Sequence, residues 1–328
     1  MPQKILVARA TFPEVLDRLS QHFDVESNQE DHVFDAQQLA DKAKGKDGLI
    51  ITSSEPAAAA LFADNPQLKA LCNTAVGYNN IDVAAATAAG VLVTNTPDVL
   101  NQTTADFAWA LLMATARRVT ESEHYLRAGL WKQWRFDAFL GSDVHGATLG
   151  IIGMGRIGQA IARRSTGFDM QVLYHNRSRL SPEQEAFSNN ARYVDKQELL
   201  EQADHIVLVL PYSAQSRHTI GAAELASMKP GATLINLARG GIVDDAALIE
   251  ALKAGKIAAA GLDVYENEPA FNAGFLDLSN VVLTPHIASA SRPTRLAMAN
   301  CAADNMIAAL SGATPANLLN PEVLIQAS

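Results

Sequence analysis

Three residues able to hold a small carboxylate and move a proton occur in the second half of the chain, each just beyond a short apolar run. Arg239 stands in Asn-Leu-Ala-Arg-Gly-Gly, Glu268 follows Leu-Asp-Val-Tyr-Glu-Asn, and His286 follows Val-Val-Leu-Thr-Pro. An arginine can grip a carboxylate through two parallel charge-assisted hydrogen bonds, a geometry that lysine lacks. A histidine can pass a proton to a carbonyl oxygen, and a carboxylate beside it favours its protonated form. Singly, each has an ordinary reading: Arg239 a surface charge, Glu268 a solvated turn acid, His286 a capped core imidazole. All three fall at or near the ends of predicted strands, where open parallel sheets bind ligands, and that makes a shared site the better reading.

Those strand ends need a sheet, and the stretch 148–158, Thr-Leu-Gly-Ile-Ile-Gly-Met-Gly-Arg-Ile-Gly, indicates which kind. Gly153, Gly155 and Gly158 fall in the G-x-G-x-x-G spacing of a dinucleotide-binding turn. In a chain with 20 glycines that spacing alone is a weak signal. Its context strengthens it: a buried strand precedes it, a helix follows over 156–165, and a second strand over 170–174 completes a βαβ unit. Gly153 would permit the tight turn, Gly155 the approach of a pyrophosphate, and Gly158 close helix packing, with Arg156 and Ile157 opening the helix whose N–H groups face the phosphates. A nicotinamide cofactor bound there would carry a hydride, leaving the protein to supply the proton donor and the grip on the substrate.

The end of the second strand bears on which nicotinamide. An acid there suits the ribose 2'-hydroxyl of NADH, and an arginine suits the 2'-phosphate of NADPH. The sequence reads Leu-Tyr-His-Asn-Arg-Ser over 173–178, with no acid. Asn176, Arg177 and Ser178 therefore predict NADPH as the preferred cofactor and NADH as a possible one, the plain alternative for Arg177 being a solvated loop residue.

Before the glycine turn, apolar runs over 5–8, 48–51, 71–76 and 91–94 alternate with amphipathic segments over 13–23, 57–62 and 82–90, the rhythm of a parallel α/β unit that ends near Pro97. A long apolar helix is expected over 104–119, with Asp106 in its first turn and Arg117 and Arg118 in its last. Beyond the turn, strands are expected over 206–210, 232–237, 258–262 and 281–283, giving six in all, with helices over 196–202, 222–228 and 245–254. An Ala-rich helix over 293–310 and a polar tail over 317–328 close the chain. The fold predicted is a Rossmann-type doubly wound parallel sheet (dinucleotide-binding domain, 101–290) inserted into a smaller flavodoxin-like α/β substrate domain (1–100 plus 291–328).

Composition sets the outer bounds. Two domains fit 328 residues, and a formal net charge of −9 argues against a nucleic-acid partner. The apolar start breaks at Arg9, so no signal peptide is expected, and no run of 18 apolar residues suggests a membrane span; the expectation is a cytoplasmic protein. Cys72 and Cys301 read as small buried thiols rather than a disulfide or redox pair, and the eight scattered histidines give no metal-ligand spacing. The loop 130–143 carries Trp131, Trp134, Phe136 and Phe139, which either pack on their own domain or mark a subunit interface.

The motifs quoted above, with Met-Lys-Pro-Gly-Ala-Thr-Leu-Ile-Asn-Leu-Ala-Arg-Gly-Gly (228–241), Ala-Gly-Leu-Asp-Val-Tyr-Glu-Asn-Glu-Pro (260–269) and Thr-Pro-His-Ile-Ala-Ser-Ala (284–290), make the chain resemble the D-isomer-specific 2-hydroxyacid dehydrogenase family over nearly its whole length. Within that family it is most similar to the bacterial glyoxylate/hydroxypyruvate reductases of the 2-ketogluconate reductase type. The resemblance implies that Arg239 binds and orients the substrate, that His286 is the acid/base and that Glu268 is its partner. It implies that Val76 and Gly77 hold the substrate carboxylate through backbone N–H groups, that Asp263 contacts the nicotinamide carboxamide, and that Thr104, Leu210, Pro211 and Ala238 line the cofactor. It also implies a homodimer through the nucleotide domain, with Trp134 as candidate for reaching the neighbouring subunit's pocket. The expected reaction is NADPH-dependent reduction of glyoxylate, hydroxypyruvate or 2-ketogluconate. The alternatives are an NAD-dependent dehydrogenase of phosphoglycerate or D-lactate, a formate dehydrogenase, and a nucleotide-sensing corepressor on the same scaffold.

Overall fold

The computed structural model describes residues 2–326 and resolves two compact units, one formed by the chain up to Leu100 with the segment from Ala290 onward, the other by Asn101–Ser289. In the first, β1 (Lys4–Val7), β2 (Asp24–Ser27), β3 (Gly48–Ile51), β4 (Ala70–Asn73) and β5 (Leu92–Thr94) form a parallel sheet in the order β2-β1-β3-β4-β5. This is the flavodoxin-like order. Strands β3 and β4 are buried at every residue, which is why they read as unbroken apolar runs.

β2 has no such run. Its Asp-Val-Glu-Ser alternates exposed and half-buried residues and pairs only with β1, so as a charged edge strand it escaped the sequence reading. The helix Ala36–Lys42 escaped it too, burying only Leu39 and Ala40, although Asp35 and Gln38 form a reciprocal capping box at its start. The long helix Arg292–Leu310 belongs to this unit, and its Ala299, Ala302, Ala303 and Met306 pack on Ile5, Ile50 and Cys72 of the sheet. The segment expected as a polar tail is partly built in. Buried Asn320 accepts a hydrogen bond from the Val93 N–H at 2.8 Å and donates to the Val91 carbonyl at 2.8 Å, and a short helix, Glu322–Gln326, follows. Residues 327–328 of that tail lie outside the described residues.

The second unit contains β6 (Thr148–Ile152), β7 (Gln171–His175), β8 (Arg192–Tyr193), β9 (His205–Leu208), β10 (Thr233–Asn236), β11 (Ala259–Leu262) and β12 (Val281–Leu283). They form one parallel sheet ordered β12-β11-β10-β9-β6-β7-β8, the doubly wound arrangement with its reversal between β6 and β9. The sheet has seven strands where six were expected; the extra one, β8, is a two-residue edge piece with no apolar run to announce it.

The helix expected over 104–119 is two helices. Asn101–Ala116 ends before the arginines, Arg118 takes a left-handed φ of 53°, and Val119–Arg127 follows. Arg118 pairs with Glu121 at 2.7 Å, and Asp106, outside the first turn, pairs with Arg164 at 2.7 Å, so neither end is arranged around the helix dipole as expected.

Register fixes where the functional residues emerge. Ile152 is level with Leu208, Leu208 with Asn236, Asn236 with Leu262, and Leu262 with Leu283. The segments that follow these strands therefore leave the sheet along one edge, at strand spacings of about 4.8 Å.

Candidate active site

On that edge, Asn236 ends β10 buried and turns its side chain along the chain. Its Oδ1 accepts the Ala238 N–H at 3.1 Å and its Nδ2 reaches the Arg239 carbonyl at 3.4 Å, shaping the turn that presents Arg239. The guanidinium donates from Nη1 to the Ala238 carbonyl at 2.8 Å. Burial pulls its pKa down and the Glu268 charge opposes that, so it remains a cation facing an acid. Gly240 lies against the Tyr265 carbonyl so tightly that a Cβ there would overlap it, and this contact joins the Arg239 turn to the loop carrying Glu268.

That loop, 263–269, folds on its own polar groups. Glu268 Oε1 accepts the Tyr265 N–H at 2.8 Å, and the Tyr265 hydroxyl accepts the Thr284 N–H at 3.0 Å while lying within 3.0 Å of the Leu262 and Thr284 carbonyls. Glu268 Oε2 meets His286 Nδ1 at 2.8 Å. Burial alone would raise the Glu268 pKa, but the bond and charge of His286, the Tyr265 N–H and the Arg239 charge together hold it below the usual carboxylate value. An ionised Glu268 fixes the proton on Nδ1, so Nε2 is the nitrogen left to act. The His286 side chain is 36% exposed, and its backbone takes a φ of 53°, a strained conformation for a non-glycine residue.

Asp263 has partners within the protein itself. It is fully buried, and its carboxylate accepts the Thr284 hydroxyl at 2.7 Å and the N–H groups of Ile287 at 2.8 Å and Ala288 at 2.9 Å. Burial keeps its pKa raised despite those donors. Its three bonds hold the segment on both sides of His286, a role the sequence did not disclose.

The glycine turn stands at the topological reversal. Gly153 has a φ of 103°, and a Cβ on it would come within 2.7 Å of the Val209 backbone, next to Leu210 and Pro211 after β9. Gly158 lies against the Gly153 carbonyl, whereas nothing approaches a Cβ position on Gly155 within 4 Å. The helix Arg156–Arg164 begins there with Gly155 as its cap and no side-chain cap bond, the form of a helix N-terminus that takes an anion. The His175 carbonyl accepts the Gly153 N–H at 3.0 Å and Asn176 Oδ1 accepts the Met154 N–H at 2.8 Å, so Asn176 braces the turn from β7. Arg179 is committed to Glu185 through two bonds of 2.8 and 2.9 Å, whereas Arg177 and Ser178 are exposed. Open space at Gly155, a bare helix start and an exposed cation after β7 fit a phosphorylated dinucleotide.

Thr104 is buried in the first turn of Asn101–Ala116, a helix that packs on Arg156–Arg164, where Trp109 Nε1 donates to the Ile161 carbonyl at 3.1 Å. Ala238 is buried between Asn236 and Arg239. In the first unit, Val76 and Gly77 follow β4 in a half-buried turn. Of the aromatic loop, Trp131, Trp134 and Phe136 stand exposed, and Phe139 is partly covered by Tyr125 and Arg118. Cys72 is buried, which pushes its thiol up to about 12, but Cys301 is only partly buried and not the buried thiol expected, its Sγ lying against the polar Asn317 Oδ1 at 3.3 Å. Among the described residues no helix is long and apolar enough to cross a membrane.

A model of the D-isomer specific 2-hydroxyacid dehydrogenase NAD binding domain matches residues 109–288. The glyoxylate reductase of Thermococcus gammatolerans is 46% identical over 328 residues, 99% of this chain and 98% of the relative. The chain belongs to the D-isomer-specific 2-hydroxyacid dehydrogenase family. Among solved structures it is similar to the NADPH-dependent glyoxylate/hydroxypyruvate reductase of Sinorhizobium meliloti in complex with NADP and malonate (35% identity, TM-score 0.85, 97% of each chain). It is similar also to a glyoxylate reductase from Paecilomyes thermophila (33% identity, TM-score 0.86, 98% of this chain and 100% of the other). This dehydrogenase is thus an NAD(P)-dependent oxidoreductase, and the corepressor alternative gives way to an enzyme.

Proposed function

We propose that this dehydrogenase reduces small 2-oxoacids, glyoxylate and hydroxypyruvate first and 2-ketogluconate as a larger member of the class, to D-2-hydroxyacids with NADPH as preferred cofactor and NADH as a poorer one. The cofactor, when bound by Thr104, Gly153, Gly155, Arg156, Ile157, Gly158, Asn176, Arg177, Ser178, Leu210, Pro211, Ala238 and Asp263, supplies the hydride. Arg239 holds and orients the substrate carboxylate, with the N–H groups of Val76 and Gly77 as a second grip. His286 gives the Nε2 proton to the carbonyl oxygen as it becomes an alkoxide, and Glu268 holds the imidazole in the tautomer and orientation that this requires.

The observation that carries this reading is the His286–Glu268 bond at 2.8 Å, with Arg239 acting on the same carboxylate through its charge. The names of the relatives support the substrate class. We assign 101–290 to cofactor binding and 1–100 with 291–328 to substrate binding, and we expect a homodimer through the nucleotide domain in which exposed Trp134 reaches the neighbouring copy. The first test is a panel of 2-oxoacids assayed with both cofactors. Glyoxylate and hydroxypyruvate should be turned over faster with NADPH, and Arg177→Ala should raise the KM for NADPH about tenfold or more while leaving that for NADH within about twofold. A wild-type preference for NADH, or an unmoved NADPH KM in Arg177→Ala, overturns the cofactor assignment.

A further inference from the structure

The turn after β4 has its carbonyls tied down by asparagines. Asn73, the last residue of β4, donates from Nδ2 to the Gly77 carbonyl at 2.8 Å, and Asn95, just after β5, donates from Nδ2 to the Val76 carbonyl at 2.8 Å. Asn95 is itself fixed: its carbonyl accepts Asn305 Nδ2 of the helix Arg292–Leu310 at 3.1 Å. A third asparagine, Asn80, closes the turn by donating to the Thr52 and Glu55 carbonyls at 3.0 and 2.9 Å. Among the described residues nothing accepts from the N–H groups of Val76 or Gly77. The C=O and N–H of one planar peptide point opposite ways, so the hold of Asn95 on the Val76 carbonyl orients the Gly77 N–H, the Thr96 N–H bonded to the Ala75 carbonyl at 3.0 Å orients the Val76 N–H, and the hold of Asn73 on the Gly77 carbonyl fixes the peptide that follows.

This turn also concentrates unpaired polarity. Of the six buried side-chain N and O atoms without a partner among the described residues, four are Asn73 Oδ1, Asn80 Oδ1, Thr94 Oγ1 and Thr96 Oγ1, all in or beside this segment. Unpaired buried groups cost stability, and a fold that keeps four of them together gives up stability at one place. Alanine or a small apolar residue would remove that cost at Asn73, but it would also release the Gly77 carbonyl.

We propose that Asn95 and Asn73 are positioning residues for substrate binding: Asn95, by holding the Val76 carbonyl, aims the Gly77 N–H of the same peptide at the substrate carboxylate, and Asn73, by holding the Gly77 carbonyl, locks the peptide on the other side of that residue. This rests on the 2-oxoacid reading above and names the side chains that make its backbone grip. Neither asparagine touches the reacting atoms, so their loss should weaken substrate binding without slowing the bound complex.

The test measures glyoxylate KM, kcat, the Ki of oxalate and the NADPH dissociation constant for Asn73→Ala, Asn95→Ala and, as a matched control, Asn65→Ala. Asn65 is another buried asparagine of the same unit, and it donates to the Ala40 and Leu61 carbonyls rather than to any carbonyl of the turn. Both turn variants should raise KM and the oxalate Ki together by about five- to twentyfold, with kcat and NADPH affinity within about twofold. The control should lower Tm and leave KM unchanged. A KM that stays put in both turn variants, or that moves equally in the control, overturns the proposal and leaves the 2-oxoacid reading intact. Wild-type enzyme inactive on every 2-oxoacid overturns that reading and this proposal together.

Discussion

The loop 263–269 holds two histidine–glutamate pairs that share a distance and differ in setting. Glu268 meets His286 at 2.8 Å, and two residues earlier Glu266 meets His218 at 2.8 Å. Both histidines have a left-handed backbone, with φ of 53° and 50°. The difference lies at the second ring nitrogen. His218 Nδ1 faces Asp244 at 3.8 Å, with Asp245 nearby, so both of its nitrogens are turned toward acids. Among the described residues His286 pairs with one acid, Glu268 on Nδ1, and the Arg239 charge acts on that acid. A His–Glu contact is therefore not by itself a catalytic pair. In the reading proposed above, the proton donor is the histidine with one nitrogen held and the other open, beside a cation.

The sharpest way to break this comparison is to remove each imidazole in turn. His286→Ala should lower kcat by about a thousandfold, within the usual range for a lost general acid, and His218→Ala should leave kcat within about threefold. Equal losses in the two variants would mean that the pairs are interchangeable. Next in size is Arg239→Ala, expected to raise the KM for glyoxylate by about a hundredfold and to lower kcat as well, because in the proposed reading the guanidinium holds the substrate and its charge also stabilises ionised Glu268. A smaller contrast comes from the acids: Glu268→Gln should cost about tenfold in kcat, since an amide can still accept the Tyr265 N–H but no longer balances a charged imidazole, whereas Glu266→Gln should cost less than about threefold.

The smallest effect is on stability and belongs to the second pair. Asp245 is buried, and its carboxyl is pushed up to about 6 by burial, aided by the charges of Glu266 and Asp244. Folding thus favours its protonated form, so the stability it contributes is full below the unfolded value near 4 and is lost as pH rises through about 6. Asp245→Asn, whose amide oxygen can still accept the Glu266 N–H, should remove that loss. The gap in unfolding free energy between variant and wild type should grow by on the order of 2 kcal/mol between pH 4 and pH 7. Urea unfolding across that range checks it, and a constant gap would show that Asp245 does not carry the pH dependence.

The two pairs also mark what the chain reveals unfolded. The placement of Arg239, Glu268 and His286 on one edge was legible because each follows an apolar run, and parallel strands in register bring such positions together. His218 follows no strand and meets an acid 48 positions away, so nothing local announces it. The interior strands were legible because burial on both faces leaves them as unbroken apolar runs. Edge strands β2 and β8, being charged or two residues long, were not. The break at Arg118 turns on a left-handed residue that is not glycine, and the sequence gives no sign of that. Asp263 was found through family likeness, but its bonds to Thr284, Ile287 and Ala288 depend on how β11 and β12 lie side by side.

The turn after β7 divides its labour residue by residue. The His175 carbonyl and Asn176 brace the glycine turn, Arg179 is locked to Glu185, and Arg177 and Ser178 are exposed with no hydrogen bond among the described residues. If Arg177 and Ser178 select the coenzyme as proposed, that choice is uncoupled from folding: it can drift, or be engineered, by exchanging one or two exposed side chains, while the scaffold of the glycine turn stays as it is.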